Sequence, residues 1–112
     1  MQIKAAVTVK QGDDFQWQNV DLTDPANGEI RVRIVATGVC HTDAVARDLG
    51  IAPFPIVLGH EGAGVVEALG AGVTGLEIGD HVVLSFAHCG ECDHCLTGHP
   101  TVCGTFNELN FG

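Results

Sequence analysis

The chain has 112 residues and a formal net charge of −9, from 14 acidic and 5 basic side chains. This length suits one domain around one hydrophobic core, and the excess of negative charge argues against nucleic acid as a partner. No apolar run is long enough to cross a membrane, and the N-terminus lacks the pattern of a secretory signal. We therefore expect a cytoplasmic protein without membrane or nucleic-acid partners.

The first part of the chain has the alternating pattern of β-strands. Two short runs, 3–10 and 15–22, flank a turn around Gly12 and predict an N-terminal hairpin. A longer alternating run at 29–40 becomes mostly apolar towards its end, which predicts a strand that runs into the interior. Trp17, on the second strand, is predicted to pack within the sheet.

The middle of the chain offers one short helix. It follows Cys40, with Thr42 or Asp43 predicted at the N-cap and Gly50 after the last turn. Glycines recur in the next stretch, 56–73, and favour a curved, barrel-like sheet. A turn and a final strand then lead into a cysteine-rich segment, so the chain is predicted to be mainly β.

Four cysteines follow at short spacing in CGECDHCLTGHPTVC. Cys89, Cys92 and Cys95 have two residues between neighbours, and Cys103 follows after a seven-residue loop. Four thiolates suit a tetrahedral zinc ion and leave no position for a substrate, which predicts a structural Zn²⁺ site in a lobe at about 88–104. A disulfide framework is one alternative. An iron–sulfur site is another, although the long gap before Cys103 disfavours it.

A second group of reactive residues lies in GVCHTD and GHEGAGVV. The first motif carries Cys40, Thr42 and Asp43, and the second carries His60 and Glu61. A thiol, an imidazole, a hydroxyl and two carboxylates are the ingredients of an open metal site. Taken alone, the pair of Cys40 and His60 is better explained as a small buried hydrophobe and a hydrogen-bonded histidine.

These two motifs, then GDHV, then the cysteine segment, resemble in order and spacing the zinc-dependent medium-chain alcohol dehydrogenases. The resemblance runs from residue 3 to about 111, and the ending FNELNFG is most similar to aryl or benzyl alcohol dehydrogenases. It implies a GroES-like, partly open β-barrel with a short helix and a four-cysteine zinc lobe. We expect residues 1–112 to form this domain.

The resemblance also implies roles for the second group of residues. Cys40 and His60 match two ligands of a catalytic zinc, and Glu61 matches a carboxylate close behind that metal. Asp43 matches the group that holds the ligating histidine, and Thr42 matches the hydroxyl that receives the substrate proton. The implied reaction oxidises an alcohol to an aldehyde or ketone by hydride transfer to NAD or NADP.

Two parts of such an enzyme are not found in this sequence. The family's third catalytic ligand, a second cysteine, comes from beyond residue 112, and none of the Gly-rich segments is a GxGxxG turn between a strand and a helix, which would mark a Rossmann domain for NAD(P). We therefore expect the N-terminal portion of a dehydrogenase, inactive by itself, with exposed apolar surface that favours a homo-oligomer. The alternative is a non-enzymatic zinc-binding module.

Overall fold

The computed structural model describes all residues, 1–112, as six strands and four short helical segments. The strands are β1 (Gln2–Thr8), β2 (Gln16–Asp21), β3 (Ile30–Thr37), β4 (Ile56–Val57), β5 (Gly62–Leu69) and β6 (His81–Val83). The helices are α1 (His41–Leu49), α2 (Asp93–Leu96) and α3 (Phe106–Phe111), with a 3₁₀ turn at Pro100–Val102. None of these helices has the length and apolar character needed to cross a bilayer.

The strands form two antiparallel sheets of three strands each. Their orders are β2-β1-β4 and β3-β5-β6. The predicted N-terminal hairpin is confirmed, since β1 and β2 pair from Gln2 opposite Asp21 to Val7 opposite Gln16. Neither sheet closes on itself, so the mainly β, partly open architecture expected from the sequence is confirmed.

The prediction that the long strand β3 ends in the interior is wrong. It pairs with β5 along its length, with irregular register after Arg31 and after Ile34. Its apolar end stays open to solvent, with Ile34 exposed by 48% and Val35 by 67%. An alternating pattern indicates which face of a strand is apolar, but not whether another element covers that face.

Helix α1 carries the first reactive motif, and it begins earlier than predicted. Its N-cap is Cys40 rather than Thr42 or Asp43. The reason is that Asp43, at the third helical position, turns its side chain back and accepts the Cys40 backbone N–H at 3.0 Å. At the other end Gly50 adopts φ 64° and terminates the helix as predicted.

The two other α-helices were not predicted. With four and six residues, α2 and α3 are too short to show a helical period in the sequence. They flank the end of the cysteine segment, and α3 returns the chain to the loop after β6, where Asn110 contacts Ala87.

The hydrophobic core is smaller than the length of the chain allows. The accessible surface is 7639 Å², whereas a compact monomer of this mass exposes about 5,900 Å². The radius of gyration is 14.9 Å, against about 13 Å for a compact domain of this length. Trp17, predicted to pack within its sheet, is 79% exposed. The few apolar residues that are buried are Ala5, Val7, Ala46, Ala52, Val66 and Cys103.

Candidate metal centres

The four cysteines of the lobe converge on one point. The sulfur atoms of Cys89, Cys92, Cys95 and Cys103 all lie within 4.8 Å of one another, and those of Cys89 and Cys95 are 3.9 Å apart. A zinc–sulfur bond of about 2.3 Å gives a tetrahedron whose sulfurs are about 3.8 Å apart. The lobe therefore has the donor set and the spacing that a closed zinc site requires.

Backbone N–H groups turn towards the sulfur atoms in this lobe. The Cys89 sulfur accepts from the N–H of Glu91 at 3.4 Å and of Cys92 at 3.3 Å, and Cys89 donates its own N–H to the Cys103 sulfur at 3.4 Å. Gly90 makes the first turn possible with φ 74°. The hydrogen bond to the Cys103 sulfur favours its thiolate, which is the form that binds metal.

The thiols of the lobe differ widely in pKa. The Thr105 hydroxyl and the Cys89 N–H lower the pKa of Cys103 to about 6, and the Gly104 backbone lowers the pKa of Cys92. By contrast, loss of water, reinforced by the neighbouring thiols, raises the pKa of Cys95 to about 12. A bound Zn²⁺ offsets this difference because its positive charge stabilises the thiolate form of each sulfur that it binds.

A second centre forms where α1 meets the loop before β5. One ligand atom each from Cys40, His60 and Glu61 lies within 4.8 Å of the others. The His60 side chain is 19% exposed and that of Glu61 is 45% exposed, so the group is sheltered on one side and open on the other. Three donors with an open side match the pattern of a catalytic rather than a structural metal site.

Asp43 lies beneath this second centre and contacts two of its members. Its Oδ1 is 3.5 Å from Nδ1 of His60, and its Oδ2 accepts the backbone N–H of Cys40 at 3.0 Å. The Asp43 side chain is only 9% exposed. A carboxylate at this position favours the tautomer with the proton on Nδ1, in which the Nε2 lone pair of His60 is available to a metal.

An open cleft of about 550 Å³ adjoins the second centre. Thr42 and His60 both line it, and the Thr42 hydroxyl is 3.5 Å from the Cys40 sulfur. Much of the remaining wall is apolar, including Leu84 and Phe86. A ligand in this cleft would therefore meet the Thr42 hydroxyl and the His60 imidazole beside a largely apolar wall, with further polar groups from Lys4, Ser85 and Asn110.

All nine predicted site residues fall into these two centres or beside them. The sequence did not reveal that the Phe86 ring stacks on His60, with centroids 4.3 Å apart and planes 16° apart. It also did not reveal that Gly38 leaves room for Glu61, whose carboxylate occupies the space that a Cβ at this position would fill. No local signal in the sequence marks either contact.

The open antiparallel sheets, the four-cysteine lobe and the second centre define a metal-binding domain of the GroES-like class. Residues 26–112 match the family model described as the alcohol dehydrogenase GroES-like domain. The chain belongs to this family.

Among curated proteins, the chain is 49% identical to geraniol dehydrogenase of Castellaniella defragrans over 109 residues, which cover 97% of the chain and 29% of that protein. Among solved structures, it is similar to an alcohol dehydrogenase zinc-binding domain protein from Burkholderia ambifaria, with TM-score 0.96 and 48% identity over the whole chain and 30% of that structure. Benzyl alcohol dehydrogenase from Acinetobacter calcoaceticus gives TM-score 0.90 and 47% identity, over the whole chain and 31% of that structure. The chain thus spans about three tenths of the length of these relatives.

Proposed function

We propose that this chain forms the N-terminal catalytic-domain portion of a zinc-dependent, NAD(P)-linked alcohol dehydrogenase. Residues 1–112 constitute its GroES-like domain, with the zinc lobe at about 88–104. The observation that carries the proposal is the second centre, in which Cys40 and His60 lie together with Asp43 behind them. A domain that used zinc only for stability would need the four-cysteine lobe and nothing more.

The donor atoms of the second centre fit zinc. A thiolate, an imidazole nitrogen and a carboxylate are all ligands that Zn²⁺ accepts, and we assign the direct contacts to Cys40 and His60, with Glu61 close behind. A zinc ion bound there supplies Lewis-acid polarisation of the substrate oxygen. The lobe cysteines hold a second zinc with a structural role.

The residues around the second centre orient its histidine and accept the proton of the substrate. Asp43 fixes the ring plane and the tautomer of His60 through Nδ1. Thr42 lines the cleft with its hydroxyl, and this group receives the proton that leaves the substrate alcohol. The next turn of α1 presents Val45, whose aliphatic side chain cannot accept or donate a proton. The proton therefore passes from Thr42 to water or to another group.

The nicotinamide cofactor is assigned to a Rossmann domain, because the GxGxxG match in these 112 residues, at 70–75, lies between β5 and β6 and opens no helix. A hydride acceptor and a third protein ligand are both needed for turnover. We therefore propose that the 112-residue chain does not oxidise alcohols by itself. Five free thiols, four of them grouped for metal binding, support placement in a reducing compartment such as the cytoplasm.

The substrate class follows from the wall of the cleft. Apolar side chains such as Leu84, Phe86 and Phe111 line most of the space beyond Thr42, so we propose a small alcohol with an apolar body. Similarity to a geraniol dehydrogenase and to a benzyl alcohol dehydrogenase supports this choice.

The second candidate is a non-enzymatic module stabilised by zinc. It is favoured by the closed geometry of the four-cysteine lobe, which needs no substrate and no further ligand. The two proposals differ in whether Cys40 belongs to an open metal site.

Cobalt spectroscopy separates the two candidates, because Co²⁺ in place of zinc reports each centre through its visible bands. We would load the chain with Co²⁺ and add benzyl alcohol, with Cys40→Ala as the matched control. The dehydrogenase proposal expects a Cys40-dependent spectrum that changes with the alcohol. Identical spectra from the two proteins, unaffected by alcohol, would favour the structural module.

A further inference from the structure

The side chain of Asn110, near the end of α3, forms hydrogen bonds with both backbone groups of Ala87. Its Oδ1 accepts the N–H of Ala87 at 2.7 Å, and its Nδ2 donates to the carbonyl of Ala87 at 3.0 Å. The same Nδ2 group donates to the carbonyl of Phe106 at 2.8 Å. The amide thus takes the place of a neighbouring strand, at the point where β6 has ended and the backbone of Ala87 has no sheet partner.

The residue before Ala87 is Phe86, which forms one wall of the second centre. Its ring stacks on His60 with centroids 4.3 Å apart. Two aromatic rings of α3 pack at an angle against the same Phe86, Phe106 at 5.0 Å and Phe111 at 6.2 Å. The His60 ring is therefore fixed twice, by Asp43 at Nδ1 and by Phe86 against its face.

Helix α3 is joined directly to the four-cysteine lobe. The Phe106 N–H donates to the carbonyl of Cys103 at 3.1 Å, and the Thr105 hydroxyl is 3.5 Å from the Cys103 sulfur. A continuous set of contacts thus leads from the lobe through α3 and Asn110 to the loop that carries Phe86.

We propose that Asn110 is a positioning residue for His60, which it aligns through Phe86, and that it thereby ties the geometry of the second centre to the folded four-cysteine lobe. The part of this inference that concerns metal affinity rests on the proposed function. The part that concerns the orientation of the His60 ring does not, because the stacking involves only residues of the chain.

The ring orientation is tested by NMR on the chain with zinc in its lobe. A stacked aromatic ring displaces the imidazole proton resonances of His60, which a His60→Gln variant identifies among the six histidines. Phe86→Leu removes the stack and gives the reference for its complete loss. We expect Asn110→Ala to move the His60 resonances towards the Phe86→Leu positions. Resonances that coincide with those of the wild type would overturn the inference.

Two further variants distinguish a local effect of Asn110 from a general loss of folding. Asn107→Ala changes an exposed asparagine of the same helix that makes no side-chain hydrogen bond, and it is expected to leave His60 unmoved. Asn110→Asp retains the acceptor for the Ala87 N–H but loses both donated bonds, and it is expected to produce a partial shift. If Asn107→Ala shifts the His60 resonances as far as Asn110→Ala does, the effect belongs to the whole helix and the inference is wrong.

Cobalt binding tests the part of the inference that concerns metal affinity at the second centre. Loss of a group that supports a metal ligand typically weakens affinity by tenfold or more, so we expect about tenfold weaker Cys40-dependent binding in Asn110→Ala and no change in Asn107→Ala. Equal affinities in the wild type and Asn110→Ala would overturn this part. A wild-type chain without any Cys40-dependent cobalt would instead contradict the proposed function, and the NMR result would still decide the role of Asn110.

Discussion

The carboxylate of Asp43 faces the imidazole of His60, with Oδ1 3.5 Å from Nδ1. The other oxygen of the same carboxylate holds the start of α1 by accepting the Cys40 N–H. One nearly buried side chain therefore sets the position of both donors of the second centre. It does so from the third position of α1, where an acidic residue also favours the helix N-terminus.

Replacing Asp43 by Asn is predicted to weaken metal binding at the second centre. The amide keeps the size of the carboxylate but loses its charge, so it no longer favours the proton on Nδ1 of His60. We expect roughly 10- to 100-fold weaker Co²⁺ binding there, the usual cost of such a change. The control is Asp48→Asn, on the exposed side of the same helix. Equal affinities for Asp43→Asn and Asp48→Asn would contradict the role given to Asp43.

Removing one ligand of the lobe is predicted to destabilise the chain far more than removing Cys40. In Cys95→Ser the lobe loses zinc, and because metal binding here contributes directly to folding we expect a loss of several kcal/mol in the free energy of unfolding. Cys40→Ser, outside the lobe, is the control. Thermal unfolding followed by circular dichroism measures both. A Cys95→Ser variant as stable as Cys40→Ser would show that zinc in the lobe does not hold the fold together.

A methyl group at Gly64 is predicted to disrupt the pairing of β5 with β3. The added Cβ would collide with the carbonyl of Arg33 on the neighbouring strand, and backbone cannot move aside cheaply. We expect Gly64→Ala to lower the free energy of unfolding by about 2 kcal/mol. Gly104→Ala is the control, since nothing lies near the added atom and its backbone is ordinary. Urea denaturation measures the difference, and equal stabilities would contradict the register of these strands.

The exposed apolar residues are predicted to drive self-association of the chain. Sixteen large apolar residues are exposed, among them Val39 by 86% and Val83 by 83%, whereas monomers rarely expose large contiguous apolar patches. We expect the sedimentation coefficient to rise with protein concentration, and to rise less in a Val39→Lys, Val83→Lys double variant. If the wild type sediments as a monomer at every concentration, this surface does not mediate self-association.

Features with a local cause were predictable from the sequence. The hairpin of β1 and β2 follows from alternating residues around a turn, and Gly50 ends α1 because glycine readily adopts φ 64°. The convergence of the four cysteines follows from their spacing. The grouping of Cys40 with His60 could be expected only through resemblance to a family, because twenty residues separate the two.

Features that depend on distant partners were not predictable. Phe86 stacks on His60, which is 26 residues earlier in the sequence, and Asn110 contacts Ala87, which is 23 residues earlier. No periodic pattern in the sequence indicates either contact. The exposure of Val35 and Trp17 has the same origin. Their residue types predict burial, but burial requires a covering element that these 112 residues do not supply.

The most direct test of the account is the zinc content of the purified chain after equilibration with a slight excess of Zn²⁺ and removal of loosely bound metal. We expect two zinc ions per wild-type chain, one in Cys40→Ala, which keeps the ion of the lobe, and at most one in Cys95→Ser, because the second centre depends on the folded lobe. One zinc ion in both the wild type and Cys40→Ala would contradict the account, because Cys40 and His60 would then form no metal site and only the lobe would bind zinc.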